Sequence, residues 1–98
     1  MPQPRERQTR RNRTGSGRML RHAAKVMAER DAAYGSPTVS MAAVAARWSL
    51  TLGSRVTPAQ VVLCMLDLKL VRLAHDPLHR DSATDVIGYA ALLPEVTR

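Results

Sequence analysis

Ninety-eight residues, 45% of them apolar, are enough for one domain with a modest core. With one Trp, two Tyr and no Phe, that core is left to Leu, Val, Ala, Met and Ile, side chains that suit helix packing. No stretch approaches the roughly 18 consecutive apolar residues of a membrane span. No apolar segment follows the N-terminal arginines as a secretory signal requires, so a soluble cytoplasmic protein without membrane contact is expected.

The net charge of +7 is concentrated at one end. Residues 1–18, MPQPRERQTRRNRTGSGR, carry Arg5, Arg7, Arg10, Arg11, Arg13 and Arg18 against Glu6, and the rest of the chain is nearly neutral. The segment has no apolar period and is rich in Pro, Gly, Ser, Thr and Gln, so it buries too little surface to offset the entropy of ordering. A disordered tail over residues 1–18 and a helical domain over 19–94 are the expected organisation. The arginines suit phosphate contacts with a nucleic acid, but no aromatic or base-reading motif accompanies them. A solvated tail that aids solubility fits the same composition.

The first helix is predicted from about Arg18 to Ala33, with Leu20, Ala23, Ala24, Val26 and Met27 on its apolar stripe and Tyr34-Gly35 as its stop. The second begins near Ser36-Pro37, or at Ser40 if Val39 belongs to a loop, and ends before Gly53. Met41, Val44, Ala45, Trp48 and Leu52 share its face. The third has the clearest start, because TPAQ (57–60) places Thr57 at the cap, Pro58 in the first position and Gln60 where a capping box needs it. It reads VVLCMLDLKLVRLAH and stops at Asp76-Pro77, since proline disfavours helix in the residue before it. Being apolar almost all the way round, it is predicted to be the most buried element. Cys64 within it reads as a small buried hydrophobe. The fourth helix begins at Asp81 or Ser82 and ends at Pro94. The fold class is therefore all-α, a small antiparallel four-helix bundle.

Asp67, Lys69 and Arg72 interrupt the third helix, and a buried charge is costly unless paired. Lys69 and Arg72, three apart, project from one face. Asp81 and Asp85, one turn apart, lie just beyond a short connection, so a network of two cations facing two carboxylates is expected. Snorkelling of the basic heads into water is the competing reading. Ser82 with Asp85 three residues on also resembles a capping box, which would make this acid a helix-start device.

His75 and His79 are four apart, but Pro77 breaks the helix between them, so they cannot serve as zinc ligands on one face and no metal site is expected. His79 is expected to bond a carboxylate or cap a turn. Gly88, inside the fourth helix, costs about 1 kcal/mol relative to Ala, which points to close packing there. Trp48 and Tyr89 read as core or interface anchors.

The segments ERDAAYGSP (29–37), MAAVAARWS (41–49) and TPAQVVLCMLDLKLVRLAHDPLHRDSATDVIGYAAL (57–92) resemble a phage-associated domain of unknown function. Its pattern is R-x-x-x-Y-G, a downstream W, then K-x-x-R-L-x-x-x-P-x-H-x-D-S-x-x-D-x-x-G-Y. They are also similar to the nucleotide-modification-associated domains of phages and, more distantly, to the all-α MazG-like nucleotide pyrophosphohydrolases. The MazG resemblance implies an E-x-x-E helix followed by an E-x-x-D helix, whose carboxylates hold magnesium against a nucleoside triphosphate. Here Asp85 matches the aspartate, Ser82 stands for the glutamate, and Lys69 and Arg72 stand where E-x-x-E is expected. Two cations in those places do not bind a metal; they neutralise the aspartates instead.

The resemblance thus implies a small phage or prophage accessory protein, acting in the cytoplasm of a bacterial host, with a degenerate pyrophosphatase-like bundle. In that reading it is not an enzyme and needs no cofactor. Lys69, Arg72 and His79 hold a phosphate beside Asp81, Ser82 and Asp85, with Tyr34 and Tyr89 near the base and Glu29 nearby. The enzymatic alternative keeps magnesium-dependent pyrophosphohydrolysis with Glu29, Asp31, Asp81 and Asp85. A third reading is an adaptor that binds nucleic acid or protein through its arginine tail. A chain this small gains core by association, so a homo-oligomer is expected.

Overall fold

A computed structural model describes residues 14–97, and all four elements among them are α-helices. They are α1 (Gly15–Tyr34), α2 (Pro37–Leu52), α3 (Pro58–His75) and α4 (Arg80–Thr97). Residues 1–13, which carry Arg5, Arg7, Arg10, Arg11 and Arg13, lie outside the described residues, so the expected tail is addressed only at its end. There α1 starts earlier than the sequence suggests. Thr14 is its N-cap, its hydroxyl accepting the Gly17 N–H at 3.0 Å, and Arg18 is already helical. A capping threonine outweighs the helix-weakening Gly15 and Gly17 behind it.

The turns follow local chemistry. Gly35, at φ 83°, and Gly53, at φ 71°, end α1 and α2 in a region of backbone space that disfavours any side chain. Ser49 then fastens the second turn, its hydroxyl accepting the Val56 N–H at 2.8 Å. The box on α3 closes in both directions: Thr57 N–H donates to Gln60 Oε1 at 2.9 Å, and Gln60 N–H donates to Thr57 Oγ1 at 3.2 Å.

Two boundaries of α4 differ from expectation. Its N-cap is His79, not Asp81 or Ser82, because the imidazole Nδ1 accepts the Ser82 N–H at 3.2 Å. The helix also runs through Pro94 to Thr97. Proline there removes one N–H, and its would-be acceptor on Ala90 belongs to an exposed residue that water can serve. A proline one turn from a helix end is therefore tolerated.

The central element is α4, against which α1, α2 and α3 all pack; α3 also packs on α2, whereas α1 and α2 scarcely meet. The molecule measures 60 × 30 × 23 Å. Its long axis is about twice the length of an 18-residue helix. The core is small: Ala23, Ala45, Val61, Val62 and Leu92, with Ser82, Thr84 and Asp85 buried beside them. The expectation that α3 is most buried is thus corrected. It contributes Val61 and Val62, while Leu63, Leu70, Val71 and Cys64 on its other side are exposed. Leu20 and Leu52, assigned to inward stripes, are exposed as well. An all-round apolar sequence shows that two faces of a helix avoid charge; it does not show that one chain covers both.

Candidate functional site

Among the described residues, the most buried charged side chain is Asp85. Its Oδ1 accepts from Arg30 Nη1 at 2.9 Å and its Oδ2 from Lys69 Nζ at 3.0 Å. Helical geometry explains the meeting. Lys69 lies on the inward face of α3 with Val62 and Leu73, and Asp85 on the inward face of α4 between Ser82 and Leu92. Arg30 reaches in from α1. Burial alone pushes the Asp85 carboxyl pKa up, but the bonds from Lys69 and Arg30 outweigh it and hold the pKa below the ordinary aspartate value of 3.8.

The expected network is therefore half right. Lys69 and Asp85 pair as the sequence suggests, but Arg72 and Asp81 do not join them. Arg72 is exposed and makes no ion pair among the described residues, and Asp81 is exposed at the first turn of α4. The residue that takes Arg72's place is Arg30, from the R-x-x-x-Y-G stretch. On a helix Lys69 and Arg72 diverge by about 60°, enough to turn one inward and leave the other at the rim. Ser82 and His79 do come together, with Ser82 Oγ 2.7 Å from His79 Nδ1, but as the helix cap and not as a ligand shell. Glu29 pairs along α1 with Lys25 at 4.0 Å, both side chains largely exposed.

Beside the Asp85 network runs a groove of about 310 Å³ between α1, the start of α2 and α4. Met27, Met41, Tyr34 and Tyr89 supply its apolar and aromatic walls, and Arg30, Asp31, Asp85 and Glu95 its polar ones. Gly88 contributes to the floor, where a Cβ would meet only Met27 Cγ at 3.6 Å and Sδ at 3.8 Å. That is ordinary contact, so the glycine serves side-chain packing and not the close approach of a backbone. Tyr89, read as a core or interface anchor and, in the nucleotide reading, as a neighbour of the base, lines this groove. Of the expected ligand-binding residues, Tyr34 and Asp85 line it; Lys69 stands behind Asp85, and Glu29 and Asp81 are not on it.

Arg72 and His79 share a different place, an open depression of about 490 Å³ lined also by Val71, His75 and Asp76 at the end of the α3–α4 pair. The single phosphate clamp of Lys69, Arg72 and His79 is thus divided between two surfaces. Sequence reasoning missed Arg30, Met27, Met41 and Glu95. The signal for Arg30 was present: Arg30 and Tyr34 are four apart, hence on one face of α1, and both reach the groove.

A small all-helical domain with one tyrosine-walled groove beside a triple-charge centre is the class that these features define. Residues 18–97 match the family described as a domain of unknown function, DUF6378, and the chain belongs to that family. No curated protein and no solved structure matches it. Among the described residues, no helix is long and apolar enough to cross a membrane.

Proposed function

We propose that the chain is a non-catalytic binding module for a nucleoside or nucleoside monophosphate, held in the groove of Arg30, Tyr34 and Tyr89. The observation that carries this reading is the groove's composition: two tyrosines and two methionines facing one anchored guanidinium. Asp85 fixes one corner of Arg30 while its other N–H donors have no partner among the described residues. A planar guanidinium fixed in this way suits a phosphate, and the tyrosines offer faces to a base. Asp31 and Glu95 accept hydrogen bonds from sugar hydroxyls or base amino groups, and their charge opposes a triphosphate. The volume lies at the small end of ligand sites, as a single nucleotide requires.

Lys69 and Arg30 already engage both oxygens of Asp85, so a divalent cation would have to displace them. That supports binding over magnesium-dependent hydrolysis, the competing reading that Asp31, Asp85 and Glu95 on one groove favours. A phage accessory role, a MazG-like ancestry and the bacterial cytoplasm enter only through the resemblance of the sequence motifs.

Calorimetric titration with nucleosides and their mono- and triphosphates, in EDTA and in magnesium, tests the reading. A monophosphate is expected to bind equally in both media, and Tyr89→Ala or Arg30→Met to weaken it about tenfold or more, a loss of about 1.4 kcal/mol. Magnesium-dependent release of pyrophosphate, lost in Asp85→Asn, would establish the enzyme instead. Absence of binding by any of these ligands would remove the proposal.

A further inference from the structure

The outward side of α3 carries an apolar strip around Asp67, with the exposed Gln60, Arg72 and His75 at its borders. Leu63, Leu70 and Val71 are 48%, 51% and 69% exposed, and Asp67 lies one turn from each of them. The outward side of α2 repeats the arrangement with the opposite charge. Val39 and Leu50, 70% and 75% exposed, bracket Ala43 and Ala46 at helical spacing, with Arg47 one turn from both Ala43 and Leu50. Neither Asp67 nor Arg47 has an ion-pair partner among the described residues.

We infer that these two faces are the halves of an isologous interface, α3 of one copy lying on α2 of a second. Under a two-fold axis each contact occurs twice, so two Asp67–Arg47 pairs form and no charge is left facing an apolar surface. The alanines of α2 leave room for the larger side chains of α3, as ridge-into-groove packing needs. The extent also fits. A monomer's largest apolar patch is typically about 300–600 Å², and a stable pair covers about 800 Å² on each partner. Leucines and valines half to three-quarters exposed on two adjoining helices, in a chain whose own apolar core is five residues, supply a patch of that order. The surface is separate from the Arg30 groove and does not depend on its ligand.

Sedimentation equilibrium of the full chain tests this. Wild type is expected at twice 10.8 kDa. Val71→Glu and Leu50→Glu, one on each helix, are each expected to weaken the pair by about 30-fold or more, with helical circular dichroism retained because both sites are exposed in the single chain. If one variant loses its helicity, the other decides. Asp67→Arg is expected to weaken association, and adding Arg47→Asp to restore most of it, an outcome that a merely sticky surface does not give. Cys64, exposed on α3 beside this face, is expected to react more slowly with a thiol reagent as wild-type concentration rises, and at a constant rate in Val71→Glu. A wild-type monomer at about 100 µM, about 5.5 kcal/mol of association, would overturn the inference. So would unchanged association of the folded glutamate variants, or no recovery in the charge-reversed pair.

Discussion

At the scale of single residues, the molecule distinguishes two basic side chains three positions apart. Lys69 is nearly buried against Asp85, whereas Arg72 is an exposed cation at the rim. Stranding a buried charge costs about 3–5 kcal/mol; Lys69→Met leaves Asp85 with Arg30, so a loss of about 2 kcal/mol is expected in urea unfolding. Arg72→Met is expected to change stability by less than about 0.5 kcal/mol, the range of exposed charges. Equal losses at the two positions would contradict the pairing. The same centre sets an acid limit. Because the Asp85 pKa is lowered on folding, its contribution is complete above the ordinary value of 3.8 and fades as pH falls through the lower folded value. Asp85→Asn is expected to be less stable than wild type at pH 7 and to lose less between pH 4 and pH 2, as read from thermal unfolding across that range.

At the scale of elements, the sequence was most legible where a local rule suffices. Thr57, Pro58 and Gln60 specify the start of α3 without reference to anything distant, and the structure closes both bonds of that box. Removing the cap with Thr57→Ala is expected to cost about 1 kcal/mol, checked by denaturant midpoint, since two backbone N–H groups lose order together. Gly35 and Gly53 were legible for the same reason. The start of α4 was not, because Ser82 and Asp85 satisfy the capping pattern while His79, an uncommon cap, takes the position. Arg72 was misread for a related reason. Spacing says which residues share a helix face, but the boundary between a buried face and its rim depends on how the neighbouring helix leans. The partner of Asp85 came from α1, fifty-five residues away in sequence, a pairing that no local pattern encodes.

At the scale of the whole molecule, the apolar content of α2 and α3 exceeds what the single chain buries. This is why α3 was read as the most buried element and Cys64 as buried, whereas Cys64, Leu70 and Val71 are found outside. The excess has a consequence for the site as well. With α4 serving all three neighbours, the Asp85 centre ties α1, α3 and α4 together at the edge of the groove, so a ligand there is expected to stiffen the fold as a unit. The central claim is that the groove of Arg30, Tyr34 and Tyr89 holds the ligand, and amide chemical-shift mapping during titration with a nucleoside monophosphate in EDTA tests it most directly. The account predicts shifts concentrated at residues 27–41 and 85–95, with Gly35 and Gly88 as clear reporters. Shifts concentrated instead around Arg72, His75 and His79, or none at millimolar ligand, equivalent to less than about 4 kcal/mol of binding, would contradict it.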